Sequence, residues 1–264
     1  MSDVSAAVEP LTSGRRMHGK VCLVTGGGSG IGRATALKLA QEGAIAVIVA
    51  GRREAELEAT AAQCCAAGAE ALAVKTDVTR EDDVESLVRA ALDRYGRLDA
   101  AFNNAGFQER RAPLEQQADA VYDDVFDTNV RSVFFCLRAQ LRAMYARGEG
   151  RIAVNASVSG VRNPNTGLAL YSASKAAVIS LVRSAAMEAA PRGVRINAIA
   201  PGRVVTDMML RAGVGDMASV AAGLPLRRMG QPEEVAEAVT WLLSDASAYV
   251  VGHVLAADGG FLAS

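Results

Sequence analysis

The chain alternates. Short runs rich in β-branched and small apolar residues give way, again and again, to longer segments of helical period. The strand-like runs are KVCLVT (20–25), AIAVIVA (44–50), AEALAVK (69–75), LDAAF (98–102), RIAVNAS (151–157), RINAIA (195–200) and HVLAA (253–257). Between them, helical patterning covers 31–42, about 53–67, 81–96, about 115–147, about 171–190 and 232–244. Strands separated by helices can pair in parallel only through crossovers, and nearly continuous apolar strands require burial on both faces. The fold class this predicts is α/β: a single doubly wound Rossmann-type domain, with a seven-stranded parallel sheet and helices on both faces. Residues 1–18 read as a small, polar tail and 19–264 as the domain. The stretch 203–230, with Gly213, Gly215, Gly223 and Pro225, is expected to form a substrate flap.

Composition narrows the function. With 264 residues and 50% hydrophobic content, one large core is affordable. Lys+Arg 28 against Asp+Glu 29 argues against nucleic acid or an anionic membrane as partner. The N-terminal stretch lacks the apolar core of a secretory signal, and no apolar run approaches membrane-spanning length. Cys22, Cys64, Cys65 and Cys136 form no CxxC, which points to reduced thiols and a cytoplasmic location. His18 and His253 are far apart and carry no metal-ligand spacing. Trp241 falls at helical spacing and reads as core or interface.

The stretch TGGGSGIG, residues 25–32, sets five glycines in eight positions directly after the first strand. In a doubly wound sheet this is where a helix N-terminus receives phosphate, and glycine permits close backbone approach to a pyrophosphate. A dinucleotide is the ligand this implies. The spacing is Gly26, three residues, Gly30, one residue, Gly32, which departs from G-x-G-x-x-G; no Gly-Lys-Ser/Thr follows, so a P-loop is unsupported. At the end of strand two no carboxylate stands ready for a ribose 2′-hydroxyl. Arg52 and Arg53 occupy that region instead, suited to a 2′-phosphate. NADP is therefore favoured, with NAD left open.

Tyr171 and Lys175 are four residues apart and share a helix face. A tyrosine hydroxyl has an ordinary pKa of about 10, and a neighbouring ammonium lowers it, so Tyr171 could exchange a proton with a carbonyl or alcohol oxygen. Ser157, at a strand's C-terminal end, could hydrogen-bond the same oxygen. Ser159 and Ser172 are nearby alternatives; Ser159 suits the substrate side and Ser172 a helix start.

These motifs, in this order, resemble those of the short-chain dehydrogenase/reductase family: T-G-x-x-x-G-x-G at 25–32, Asn103-Asn104-Ala105-Gly106, Asn129 in FDTNV, Ser157, Tyr171-Ser-Ala-Ser-Lys175, Pro201-Gly202 with Thr206, and Asp258-Gly259-Gly260. The resemblance implies oxidoreductase chemistry on a ketone or aldehyde and the matching alcohol. Tyr171 would be general acid/base, with Ser157 positioning the carbonyl, Lys175 holding the ribose and lowering the Tyr171 pKa, and Asn129 ordering a proton relay. It implies cofactor contacts from Gly26, Ser29, Gly30, Ile31, Gly32, Asp77, Val78, Asn104, Ala105, Gly106, Pro201, Gly202, Val204 and Thr206. It also implies a homotetramer, with a dimer nearly as compatible. The alternatives are a dinucleotide-binding regulator without turnover, or an epimerase or dehydratase on the same scaffold. One departure is the Ser157-to-Tyr171 separation, one residue longer than the family's usual, with the extra residue expected in the Asn-Pro-Asn loop at 163–165. Gln108, Ser159, Arg162, Asn165, Leu168 and the 207–228 segment, with Met208, Met209 and Met217, are the expected substrate wall. Their mixed polarity leaves the substrate open.

Overall fold

A computed structural model describes residues 15–163, 166–211 and 217–264. Seven parallel strands form one sheet in the order β3-β2-β1-β4-β5-β6-β7. They are β1 Val21–Thr25, β2 Ala46–Gly51, β3 Glu70–Lys75, β4 Ala100–Asn103, β5 Gly150–Asn155, β6 Val194–Pro201 and β7 Val254–Ala257. The order reverses between β1 and β4, paired in register from Cys22↔Ala100 to Thr25↔Asn103, and in open parallel sheets ligands bind in the crevice beyond such a reversal.

The continuous apolar runs are explained by the two-period of a strand. Val21 and Leu23 enter one core with Ile48, Leu87 and Val182, while Cys22 and Val24 enter the opposite core with Val47, Leu39 and Leu242. The helices α1 Gly30–Gln41, α2 Glu54–Ala66 and α3 Glu81–Tyr95 follow the first three strands. Helix α3 begins on Glu81, Asp82 and Asp83, placed well for the helix dipole, and stops at Gly96 in the left-handed region at φ +70°.

The long helical pattern expected over 115–147 is broken into pieces. A 3₁₀ turn at Leu114–Gln116 ends in extended backbone, α4 spans Asp119–Phe126, a π-helical turn covers Asp127–Arg131, and α5 runs Ser132–Tyr145. The widened turn is built around Asn129, which is fully buried and committed to neighbours outside the helix. Helix α6, Ala169–Ala189, is the longest. The expected flap contains α7 Asp207–Arg211 and α8 Met217–Ala222, after which α9 runs Pro232–Leu243.

Of the expected N-terminal tail, residues 15–18 are described, and they pack. Met17 is fully buried and its amide donates to the Glu42 carbonyl at 3.0 Å. Arg16 bonds Glu42 at 2.6 Å and Glu237 at 2.7 Å, tying this segment to the end of α1 and to α9. No helix among the described residues is long and apolar enough to cross a membrane.

Candidate active site

The glycine turn does two jobs. Gly26 and Gly30 take left-handed backbone, φ +63° and +50°. A Cβ on Gly32 would stand 2.2 Å from the Gly26 carbonyl oxygen and 2.5 Å from Asn104 Nδ2; one on Gly26 would stand 2.9 Å from the same nitrogen. Gly32 therefore serves the closure of α1 onto the turn and faces away from the cleft, whereas Gly26, Ser29, Gly30 and Ile31 border it. Asn104 locks this arrangement. Its Nδ2 donates to Thr25 O at 3.1 Å and Gly26 O at 3.2 Å, and its Oδ1 accepts from Asn155 Nδ2 at 2.9 Å. Lys175 Nζ in turn donates to Asn155 O at 2.7 Å. A continuous polar rail thus joins the turn, the ends of β4 and β5, and α6.

Beyond the turn a cleft of about 970 Å³ crosses the C-terminal ends of β1, β4, β5 and β6, at the upper end of the range for small-molecule sites. At one end lie Arg52, Arg53, Asp77 and Val78. Arg53 donates to Ser29 Oγ at 2.9 Å and pairs with Glu56 at 3.1 Å, so its guanidinium is held over the turn. Burial works to raise the Asp77 carboxyl, but hydrogen bonds from Thr79 and the charges of Arg52 and Arg80 hold it below its ordinary value. In the middle are Asn104, Ala105 and Gly106 on one side and Pro201, Gly202, Val204 and Thr206 on the other. Gly202 is needed because a Cβ there would meet Asp258 Cα at 2.7 Å, which is how the C-terminal Asp-Gly-Gly supports the site.

At the other end stand Ser157 and Tyr171. Ser157 follows β5 and accepts from the Ser159 amide at 3.1 Å. Tyr171, the third residue of α6, borders the same cleft. Burial pushes the Tyr171 hydroxyl above its ordinary value. Ser157 works against that, Glu109 adds to it, and Arg203 opposes it. Lys175 Nζ lies 5.7 Å from the Tyr171 ring centroid and donates to Asn155 O, while the charges of Glu109 and Arg203 act on the hydroxyl in opposite directions. Lys175 is itself buried, which brings its ammonium down to about 8.

Asn129 does not border the cleft. Its Nδ2 donates to Phe107 O at 2.8 Å and Ser174 Oγ at 2.9 Å, and its Oδ1 accepts from Phe107 N at 2.8 Å. Its side chain holds the Gly106–Phe107 segment against α6. Ser172 bonds Leu168 O at 2.8 Å, as a helix-start residue does.

Of the expected substrate wall, Gln108, Ser159, Leu168, Met208 and Met209 border the cleft. Arg162 does not; it reaches Phe261 O at 3.2 Å and stacks on the Phe261 ring, tying down the C-terminus. Asn165, with the core of the Asn-Pro-Asn loop, and residues 212–216 of the expected flap lie outside the described residues. Two functional neighbours of Tyr171 were missed. Glu109 and Arg203 carry no motif, and only the tertiary fold brings them to the tyrosine.

The sequence family described as enoyl-(acyl carrier protein) reductase matches residues 26–262. The A-factor type gamma-butyrolactone 1'-reductase (1S-forming) of Streptomyces virginiae is 42% identical over 245 residues, covering 92% of this chain and 95% of its own. The crystal structure of levodione reductase superposes with a TM-score of 0.90 at 37% identity, covering 94% of this chain and all of its own. NAD+-bound xylitol dehydrogenase superposes with a TM-score of 0.87 at 36% identity, covering 93% of this chain and 100% of its own. Sheet order, glycine turn and near-complete coverage by such relatives coincide, and the chain belongs to the short-chain dehydrogenase/reductase family.

Proposed function

We propose that this chain is an NAD(P)-dependent oxidoreductase that interconverts a ketone or aldehyde and the corresponding alcohol. The observation that carries this reading is that Ser157 and Tyr171 border the same cleft as the glycine turn at the start of α1. The residues fit a dinucleotide. The first turn of α1 leaves unpaired amides facing the cleft, and Ser29, at its N-cap, offers them no side-chain bond. A bound nicotinamide supplies hydride transfer. The chain's own groups do the rest. Ser157 and Tyr171 hold the substrate oxygen by two hydroxyls, and Tyr171 gives that oxygen a proton in reduction or takes one in oxidation. Lys175 is buried behind the cleft lining and fixes the floor of the site through Asn155.

Our cofactor reading is NADP. Arg52 and Arg53 at the end of β2, with Arg53 braced on Ser29, suit a 2′-phosphate, and no carboxylate takes the strand-end position. The NAD+-bound xylitol dehydrogenase keeps NAD as the second reading. A homotetramer is favoured by exposed apolar side chains on α5, α6 and ahead of β7, namely Phe134, Met187 and Tyr249. Free cysteines suit a cytoplasmic location. Consumption of NADPH and NADH, measured in parallel against ketones, diketones and keto sugars, tests the reading. Tyr171→Phe should abolish turnover while cofactor still binds; a Phe variant with full activity would remove the assignment.

A further inference from the structure

Glu109 is 1% exposed, a burial that carboxylates rarely accept without a purpose. It sits in the loop after β4 and borders the cleft. Both its oxygens accept from the backbone amide of Tyr171, at 3.0 and 3.1 Å. The local sequence leaves that amide without a cap. Leu168, the N-cap of α6, offers no side-chain bond, so a residue distant in sequence closes the first turn. Glu109 thereby joins the loop that covers the substrate end to the backbone of the residue at the reacting centre.

We propose that Glu109 is a positioning residue for Tyr171, anchoring its backbone amide through both carboxylate oxygens from the wall of the cleft. The inference rests on Tyr171 being the acid/base. The polar and charged groups around this tyrosine come from four elements: Ser157 after β5, Glu109 after β4 and Arg203 after β6 act on the hydroxyl, and Lys175, one turn along α6, lies by the ring. Glu109 holds the proton on Tyr171 and Arg203 favours its release. The carboxylate therefore works with burial to keep the proton on the tyrosine, the form that donates to a carbonyl oxygen.

The test uses the full-length protein with bound cofactor. Glu109→Gln retains an acceptor for the Tyr171 amide and removes the charge. Its tyrosinate absorbance, read against Tyr171→Phe, should titrate at lower pH than wild type. The high-pH limb of its carbonyl-reduction profile, which needs the protonated hydroxyl, should move to lower pH with it. Glu109→Asp should restore the wild-type pH profile with a lower kcat. Glu109→Ala should lose about tenfold in kcat with cofactor affinity kept, because the anchor is gone. An unmoved profile in both the Gln and the Ala variants overturns the inference, and if Gln proves unstable the Ala profile decides. Turnover surviving in Tyr171→Phe would instead overturn the parent reading, so the two failures are told apart.

Discussion

Replacing Lys175 by methionine should make the protein more stable and inactive at once. The side chain is 3% exposed, and its ammonium is brought from 10.5 down to about 8 by burial. The sign follows from proton binding. In the unfolded chain the lysine keeps its proton to higher pH than in the folded one, so unfolding takes up protons between pH 8 and 10.5. Stability therefore rises with pH across that window, and below it the buried charge is a constant burden. At about 1.4 kcal/mol per pH unit, the burden at neutral pH is on the order of 3 kcal/mol. Methionine fills similar volume without the charge, but it leaves Asn155 O without the 2.7 Å bond, which returns about 1–2 kcal/mol. The variant should then gain roughly 1–2 kcal/mol at pH 7, a gain that shrinks and reverses as pH approaches 10. Urea unfolding of both proteins at half-unit steps from pH 6 to about 10 reads this directly as a converging pair of curves. A methionine variant less stable at pH 7, by an amount constant across the range, would refute the reasoning, because the ammonium would then carry no desolvation cost.

Other outcomes follow from single contacts. Asn104→Ala removes three hydrogen bonds in the polar rail and should cost about 2–3 kcal/mol in urea unfolding. Asn104→Asp, nearly the same shape, should cost at least as much, since an acceptor then faces two carbonyl oxygens. Gly32→Ala forces a Cβ to within 2.2 Å of Gly26 O and should weaken cofactor binding at least tenfold in a fluorescence titration, although Gly32 does not border the cleft. Glu42 is held at about 2, chiefly by the hydrogen bond from Arg16, so its contribution is full above about pH 4.5 and lost as pH falls toward 2. Arg16→Ala should cost about 1 kcal/mol at pH 7, discounted for partial exposure, and nothing once Glu42 is protonated. Exchanging Arg52 and Arg53 for uncharged residues should raise KM for NADPH far more than for NADH.

The sheet was legible because its strands are buried on both faces, so that seven apolar runs stand out from helices one face of which is wet. Strand and helix ends shifted by only a residue or two. The candidate catalytic group could be named from the sequence because its members sit at fixed spacing within one helix or at strand ends. What tertiary structure alone decides was not. Nothing near Glu109 in the chain announces that its carboxylate will meet the amide of Tyr171. Arg203 looked like an ordinary flap residue. The pattern over 115–147 suggested one helix because apolar spacing persists through the π turn, and only the commitments of Asn129 show why the ladder widens there. The glycines of the turn were read as room for a phosphate, whereas Gly32 is glycine because Asn104 and Gly26 leave it no room.

The rail from Gly26 through Asn104 and Asn155 to Lys175 has a consequence for how such a protein can change. Its members share partners, so substitutions at 104, 155 and 175 are not independent, and two individually harmful changes need not add. Any drift along the rail must be concerted, which makes it slow. Leu168, Met208 and Met209 border the same cleft but take no part in these bonds. They can be exchanged one at a time without disturbing the groups proposed to move the proton. Directed evolution for a new carbonyl compound should therefore accumulate its substitutions at those wall positions and leave the rail untouched.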